Sequence, residues 1–227
     1  MSVFTLVPGA CHGAWWYQPL VQALISDGHI AAALTLVGLE DEPDVDRRIT
    51  LDTHIDQVTA AVYAEAEASG TPVVLVGHSY AGVPCVAAAD RLPDRVAALV
   101  LLDAFLPSDG DSCWSLTNDE QREWYATGCA TTGDGVDPLP FFDERARPHP
   151  IGTLLQTVHL TGAWEQVAVR HYAAAAWPGE SPMARSRSRA MEDETFVVHD
   201  WETRHNVLHD GPERVLNLLR QVAALGA

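Results

Sequence analysis

The chain has 227 residues, 47% of them hydrophobic, and a formal net charge of -17. That length supports one sizeable core, not two. The charge excludes a nucleic-acid binder, because little here could neutralise a phosphate backbone, and it disfavours an anionic membrane surface.

All fourteen basic residues are arginine, so no catalytic lysine exists; with the many Ala, Asp and Val this points to a GC-rich genome. The N-terminal MSVFTLVPGACHGAWW has no charged segment before its apolar run, so it reads as a strand entering a Gly turn and not as a signal peptide. No stretch reaches the ~18 apolar residues of a membrane span. Cys11, Cys85, Cys113 and Cys129 form no C-x-x-C pair and no zinc spacing, which predicts free thiols in a cytoplasmic protein.

In chain order, Val3–Val7 reads as a strand and Trp15–Ser26 as a helix with Gly28 just past its end. Ile30–Val37 is apolar throughout and predicts a buried strand, followed by an acidic loop over Glu40–Arg48. Leu51–Ala68 is the clearest amphipathic helix, with Ile55, Val58, Thr59 and Val62 on one face and Gly70 as its C-terminal cap. Pro72–Val76 is the next strand, Tyr80–Leu92 a helix stopped by Pro93, and Val96–Leu102 another buried strand. Apolar strands alternating with helices predict an α/β fold with a mostly parallel sheet covered on both faces.

Pro107 to about Glu165 breaks this rhythm with turn signals, scattered aromatics and the helix-like TNDEQREWYA. It is too long for a simple connection and reads as a lid inserted into a single domain spanning residues 1–227. Val167–Ala176 returns to strand, Ser181–Ala190 reads as an exposed helix, Thr195–His199 as the last strand and Pro212–Ala224 as an amphipathic C-terminal helix.

The stretch VVLVGHSYAG (residues 73–82) places Ser79 where a strand ends and a helix begins. The turn must be tight, which explains Gly77 two residues before the serine and Ala81 two after it. Such a turn lifts the serine above the sheet and aims the Tyr80 amide at its oxygen, with a helix N-terminus behind it. A second oxyanion donor is expected from the turn after the first strand, GACHGAWW, where Gly9, Ala10 and Gly13 let backbone approach a ligand; the Ala10 amide is that donor. His12 and His78 flank the two turns and read as structural. A serine hydroxyl needs a base. Of the ten histidines, His205 lies in the loop after the last strand, where the α/β-hydrolase fold that this serine turn resembles places its base, whereas His199 is inside the strand and His209 a turn further on.

The segments VPGACHGAWWYQPLVQAL, VGHSYAG, LLDAFLP, RPHP and HNVLHDGPERV together touch nearly the whole chain, and they resemble the plant methylesterase and hydroxynitrile lyase group of the α/β-hydrolase fold, with its bacterial esterase relatives. The chain departs from that group in having Pro8-Gly9 before the alanine and Arg204 where relatives often carry glycine. Relatives also place an aspartate in the loop after the strand assigned to Val167–Ala176, and here Pro178 stands at that position. Asp103, at the end of the strand after the nucleophile helix, is the first candidate acid, since certain haloalkane dehalogenases place theirs there; Glu180 is the alternative.

The resemblance implies a serine hydrolase acting on small to medium carboxylic esters through an acyl-enzyme, with no cofactor and no metal. Phe105, Leu106, Trp114, Trp124, Phe141 and Phe142 are the candidate pocket residues, or else pack the lid's own core. The alternatives are a tailoring enzyme of secondary metabolism using the same triad (thioesterase, cyclase or lyase) and a non-catalytic ligand-binding protein. A hydroxynitrile lyase is disfavoured, because those relatives pair the histidine with a lysine. The small-molecule ester is the expected partner, and a homodimer is compatible with the sequence.

Overall fold

The computed structural model describes residues 1–41 and 48–226. Most of the predicted acidic loop over Glu40–Arg48 therefore lies outside the described residues.

The strands are β1 (Val3–Val7), β2 (Ile30–Ala33), β3 (Val73–His78), β4 (Val96–Leu102), β5 (Gly135–Val136), β6 (His149–Pro150), β7 (Val169–Ala175) and β8 (Phe196–Trp201). The helices are α1 (Gln18–Ser26), α2 (Leu51–Ser69), α3 (Gly82–Arg91), α4 (Cys113–Leu116), α5 (Asp119–Gly128), α6 (Ile151–Leu155), α7 (Ala184–Glu192), α8 (Val207–Asp210) and α9 (Pro212–Ala224). Six strands form one sheet in the order β2-β1-β3-β4-β7-β8, and every pairing in it is parallel. β5 and β6 form a separate antiparallel hairpin.

Alternation along each strand divides the core in two. Val3, Val7, Leu75, Leu99 and Leu101 face α2 and α3. Phe4, Leu6, Val74, Val76, Val100 and Leu102 face α1 and α9. Each such buried Val or Leu contributes about 1.5–3 kcal/mol, and the doubly covered sheet accounts for the near-continuous apolar runs. Every residue of α3 from Gly82 to Asp90 is buried, because the helix is covered by the sheet on one side and by α2 and the later excursion on the other. α2 opens on a reciprocal Thr50–Thr53 capping box and closes on Gly70 at φ 70°.

Two expectations need correction. Ile30–Val37 is not a buried strand: only Ile30–Ala33 pair, and they are exposed to half-buried because β2 is an edge strand. Thr35 instead turns its hydroxyl to the Ala14 amide at 2.9 Å. The arginine-rich helix α7 is not simply exposed: Ser186 and Ala190 are fully buried. Its Ser186 hydroxyl accepts from the Leu106 amide at 2.9 Å, while Arg189 donates to the Leu106 carbonyl.

Between β4 and β7 the chain makes its long excursion through α4, α5, the β5–β6 hairpin and α6. Cys113, Leu116, Tyr125, Val136, Leu154 and Trp164 from it join the α2–α3 side of the core. Its return is fixed by buried Asp90 on α3, which accepts from the amides of Thr161 and Trp164 at 2.7 and 3.1 Å.

Candidate active site

The strand order reverses between β1 and β3, and in open parallel sheets such a switch point opens a crevice at the carboxyl ends of the strands. Val7 pairs with Gly77 and His78 with Leu102, so the chain leaves β1, β3 and β4 side by side. Among the described residues, the non-glycine residues with positive φ are Cys11 (67°), Ser79 (56°) and Asp103 (41°), one just beyond each of these strands. Left-handed backbone at such residues costs on the order of 1–3 kcal/mol and persists only where the surroundings impose it.

Around Ser79 the imposing contacts are close. A Cβ on Gly9 would lie 2.9 Å from Ser79 Cβ and 2.8 Å from His78 Nδ1, and one on Gly82 would lie 2.0 Å from the Phe105 carbonyl oxygen. Glycine at both positions lets the first turn and the residue 103–105 segment press against the serine turn. The Phe105 amide donates to the Ser79 carbonyl at 3.0 Å. Ala81, at the last position of the serine motif, is itself fully buried.

His205 Nε2 lies 2.9 Å from Ser79 Oγ, and His205 Nδ1 lies 2.7 Å from Asp103 Oδ2. The Asp103 side chain is almost wholly buried and the His205 side chain 29% exposed. Asp103 accepts from two further donors: Ala175 N–H reaches Oδ1 at 3.1 Å and Trp177 Nε1–H reaches Oδ2 at 3.0 Å. A carboxylate held this way accepts the imidazole Nδ1–H, which leaves Nε2 free to accept the serine proton. Glu180 is exposed and its backbone carbonyl, not its carboxylate, is engaged, by Asn118 Nδ2 at 2.9 Å.

His205 is gripped on both sides. His78 Nε2–H donates to the His205 carbonyl at 2.9 Å, and the two rings lie 4.7 Å apart. Trp16 covers His78 at 4.4 Å and Trp177 covers His205 at 5.1 Å. Burial, then the neighbouring His205, holds His78 well below the ordinary imidazole range, so it is a neutral strut. His12 Nδ1–H donates to the Ala10 carbonyl at 2.7 Å, and burial also lowers its pKa. The sequence assigns Trp177 no role; its place two residues after β7 and just before Pro178 is the signal it offers.

Ala10 is half-buried in the turn after β1, and Tyr80 is the second residue of the short 3-10 turn Ser79–Ala81. Amides at the start of such a turn have no partner within it.

The pocket candidates separate into two groups. Phe105 and Leu106 are 1% and 0% exposed and belong to the core. Leu106 borders a cleft of about 410 Å³ with Trp164, Arg189 and Asp193 that includes neither Ser79 nor His205. Phe142, by contrast, lies 4.9 Å from His12 and 6.1 Å from Trp124, and His12 in turn contacts Trp15 and Trp16. Trp124 is half-buried with its indole N–H on the Asp137 carbonyl, and Trp114 sits behind it against Tyr125. Phe141 is 79% exposed.

The model of the "Alpha/beta hydrolase family" matches residues 6–224. The chain belongs to the alpha/beta hydrolase family. Among curated relatives it is 39% identical over 117 residues to a carbendazim hydrolyzing esterase of Nocardioides sp. (strain SG-4G), covering 51% of this chain and 47% of that protein. It is 42% identical over 108 residues to Esterase PIR7B of Oryza sativa subsp. japonica, covering 47% of this chain and 40% of that one. The aligned part of the chain thus spans less than half the length of these curated relatives. The fold extends over the whole length: an extracellular alpha/beta-hydrolase from a Paenibacillus species superposes with a TM-score of 0.79 at 18% identity, covering 98% of this chain and 99% of that one. In this chain the serine turn directly follows β3, a central strand of the parallel sheet. Among the described residues no helix is long and apolar enough to cross a membrane, and no group of three or more His, Cys, Asp or Glu is arranged to hold a metal ion.

Proposed function

We propose that this protein is a serine carboxylesterase acting on small to medium carboxylic esters. The observation that carries the reading is the unbroken relay from Ser79 Oγ through His205 to Asp103, at 2.9 and 2.7 Å. Ser79 attacks the ester carbonyl carbon while His205 Nε2 takes its proton, and Asp103 stabilises the imidazolium that results. The amides of Ala10 and Tyr80 hold the oxyanion. Collapse of the tetrahedral adduct expels the alcohol, which takes the proton back from His205. Water, deprotonated by the same histidine, then attacks the acyl-enzyme and releases the acid and Ser79.

The excursion over residues 107–165 serves as the lid, with its Phe142 in contact with Trp124 and with His12, which in turn contacts Trp15 and Trp16. The curated relatives named esterase support the substrate class. All four cysteines are free, three of them buried, which fits a reducing cytoplasm.

The test is hydrolysis of p-nitrophenyl acetate, butyrate and octanoate by the native protein and by Ser79→Ala. Activity that vanishes in the variant supports the reading, and the chain-length preference sizes the acyl pocket. Native protein no faster than the variant on every ester overturns it.

A further inference from the structure

Behind the serine turn lies a buried polar cluster that the proposed reaction does not use. Tyr80 is 1% exposed, so its side chain runs into the core. Its hydroxyl lies 2.7 Å from His54 Nδ1, and His54 Nε2 lies 2.8 Å from the Val37 carbonyl. A carbonyl only accepts, so Nε2 carries the proton and Nδ1 receives the tyrosine O–H. The edge of a second imidazole, fully buried His149, packs on the Tyr80 ring at 4.4 Å.

His149 also reaches the other turn. Its Nδ1 accepts from the Cys11 amide at 3.3 Å. Its Nε2–H therefore faces Thr153 Oγ1 at 2.9 Å, and that hydroxyl donates to the Pro150 carbonyl at 2.8 Å. Two residues earlier, the Arg147 amide donates to the Cys11 carbonyl at 2.9 Å. Cys11 is thus held at both its amide and its carbonyl by residues 147–149, in a left-handed conformation (φ 67°) that a non-glycine residue does not adopt unaided. The peptide so fixed directly follows Ala10. Burial, then the nearby His54 and His12, keeps His149 well below the ordinary imidazole range and hence able to accept.

We propose that His149 is a positioning residue for the oxyanion hole, setting the Ala10 amide through Cys11 and the Tyr80 amide through the tyrosine ring. This rests on the esterase reading above, since it concerns the hole of that same site. His149 touches neither Ser79 nor His205. Its effect is confined to the geometry of the two donor turns, and it makes the β5–β6 hairpin a part of the catalytic scaffold and not only of the lid. Electrostatic preorganisation of this kind acts on the transition state more than on the bound substrate.

The test compares native protein, His149→Leu and His149→Asn, with Ser79→Ala as control. The asparagine oxygen can still accept from the Cys11 amide; leucine cannot. Three readouts are taken on chains shown to be folded by their near-UV circular dichroism: kcat and KM for p-nitrophenyl butyrate, and Ki for an alkyl trifluoromethyl ketone, whose serine adduct places an oxyanion in the hole. The expected result for His149→Leu is a fall in kcat of about 10–100-fold, short of or at the low end of losing a donor outright. KM should stay within about twofold and the ketone Ki should weaken by a similar factor to kcat, with His149→Asn recovering most of both. A folded His149→Leu with unchanged kcat and Ki, or a loss that appears in KM alone, or one that His149→Asn does not relieve, overturns the positioning role while leaving the esterase reading intact. Native protein without Ser79-dependent hydrolysis overturns both.

Discussion

Replacing Asp103 by asparagine tests whether it acts as the acid of the proposed triad, because the structure determines what the amide can do. The carboxylate accepts from three donors: Ala175 N–H on one oxygen, and Trp177 Nε1–H and His205 Nδ1–H on the other. An asparagine has one accepting oxygen. If its NH2 points to His205, it meets two N–H groups, and His205 must take the other tautomer with its proton aimed at Ser79, which removes the base. If the amide flips, its NH2 meets the Ala175 amide in a site where the side chain of residue 103 is 2% exposed. Leaving such a group unsatisfied costs about 1–3 kcal/mol of stability, and the imidazolium loses its counter-charge. The first orientation costs up to about 10⁴-fold in kcat, or about 5.5 kcal/mol of barrier, and the second about 10²-fold with a lower unfolding free energy. Either way kcat falls by at least about 10²-fold, read from initial rates on p-nitrophenyl acetate beside urea unfolding of the same samples. Glu180→Gln should leave kcat within about twofold. An Asp103→Asn enzyme within threefold of native, with Glu180→Gln impaired, would refute the argument.

Gly9→Ala should lower kcat by about 10²-fold, since its Cβ would sit 2.9 Å from Ser79 Cβ beside the Ala10 amide proposed to hold the oxyanion; native-like kinetics would show that the two turns are free to separate. Asp90→Ala should reduce the unfolding free energy in urea by about 2–4 kcal/mol, because a buried carboxylate accepting from the Thr161 and Trp164 amides is lost together with their partner; a change under 0.5 kcal/mol would mean the excursion is anchored elsewhere. Stability should also fall as pH drops below about 6.5. Burial depresses His78 and His149 in the folded chain, and pushes His171 down to about 4, so the unfolded chain binds more protons in that window. From pH 7.5 to 5.5 the two fully buried histidines, His78 and His149, should together cost about 2–3 kcal/mol, ~1.4 kcal/mol each, nearly all of it over the pH unit below ~6.5. Equal urea midpoints at the two pH values would contradict it.

The most legible features were those with a local signal. A strand ending in G-x-S-x followed by small residues announces Ser79, and helical spacing announces α2 and α9. Where the physical cause lies far along the chain, the reading failed. Ile30–Val37 is apolar enough for a central strand, but its place at the sheet edge depends on which strands pair elsewhere. Phe105 and Leu106 suit either a pocket or a core by composition, and it is Gly82 and α7 that set them in the core. The grip on Asp103 by Trp177 spans 74 positions, and that of His149 on Cys11 spans 138; no spacing rule reaches so far. Asp103 was nominated from its place at a strand end, whereas its contact with His205 could be seen only once β4 and the loop after β8 were side by side.

The central claim is that Ser79 is a nucleophile activated by His205, and covalent labelling addresses it most directly. The native chain, Ser79→Ala and His205→Ala would each be incubated with an alkyl fluorophosphonate, and the adduct counted by intact mass and located by peptide mapping. The account predicts one adduct per chain on Ser79, none on Ser79→Ala, and labelling slowed by at least about 10²-fold in His205→Ala. An unlabelled native chain, or an adduct on any other residue, would contradict it.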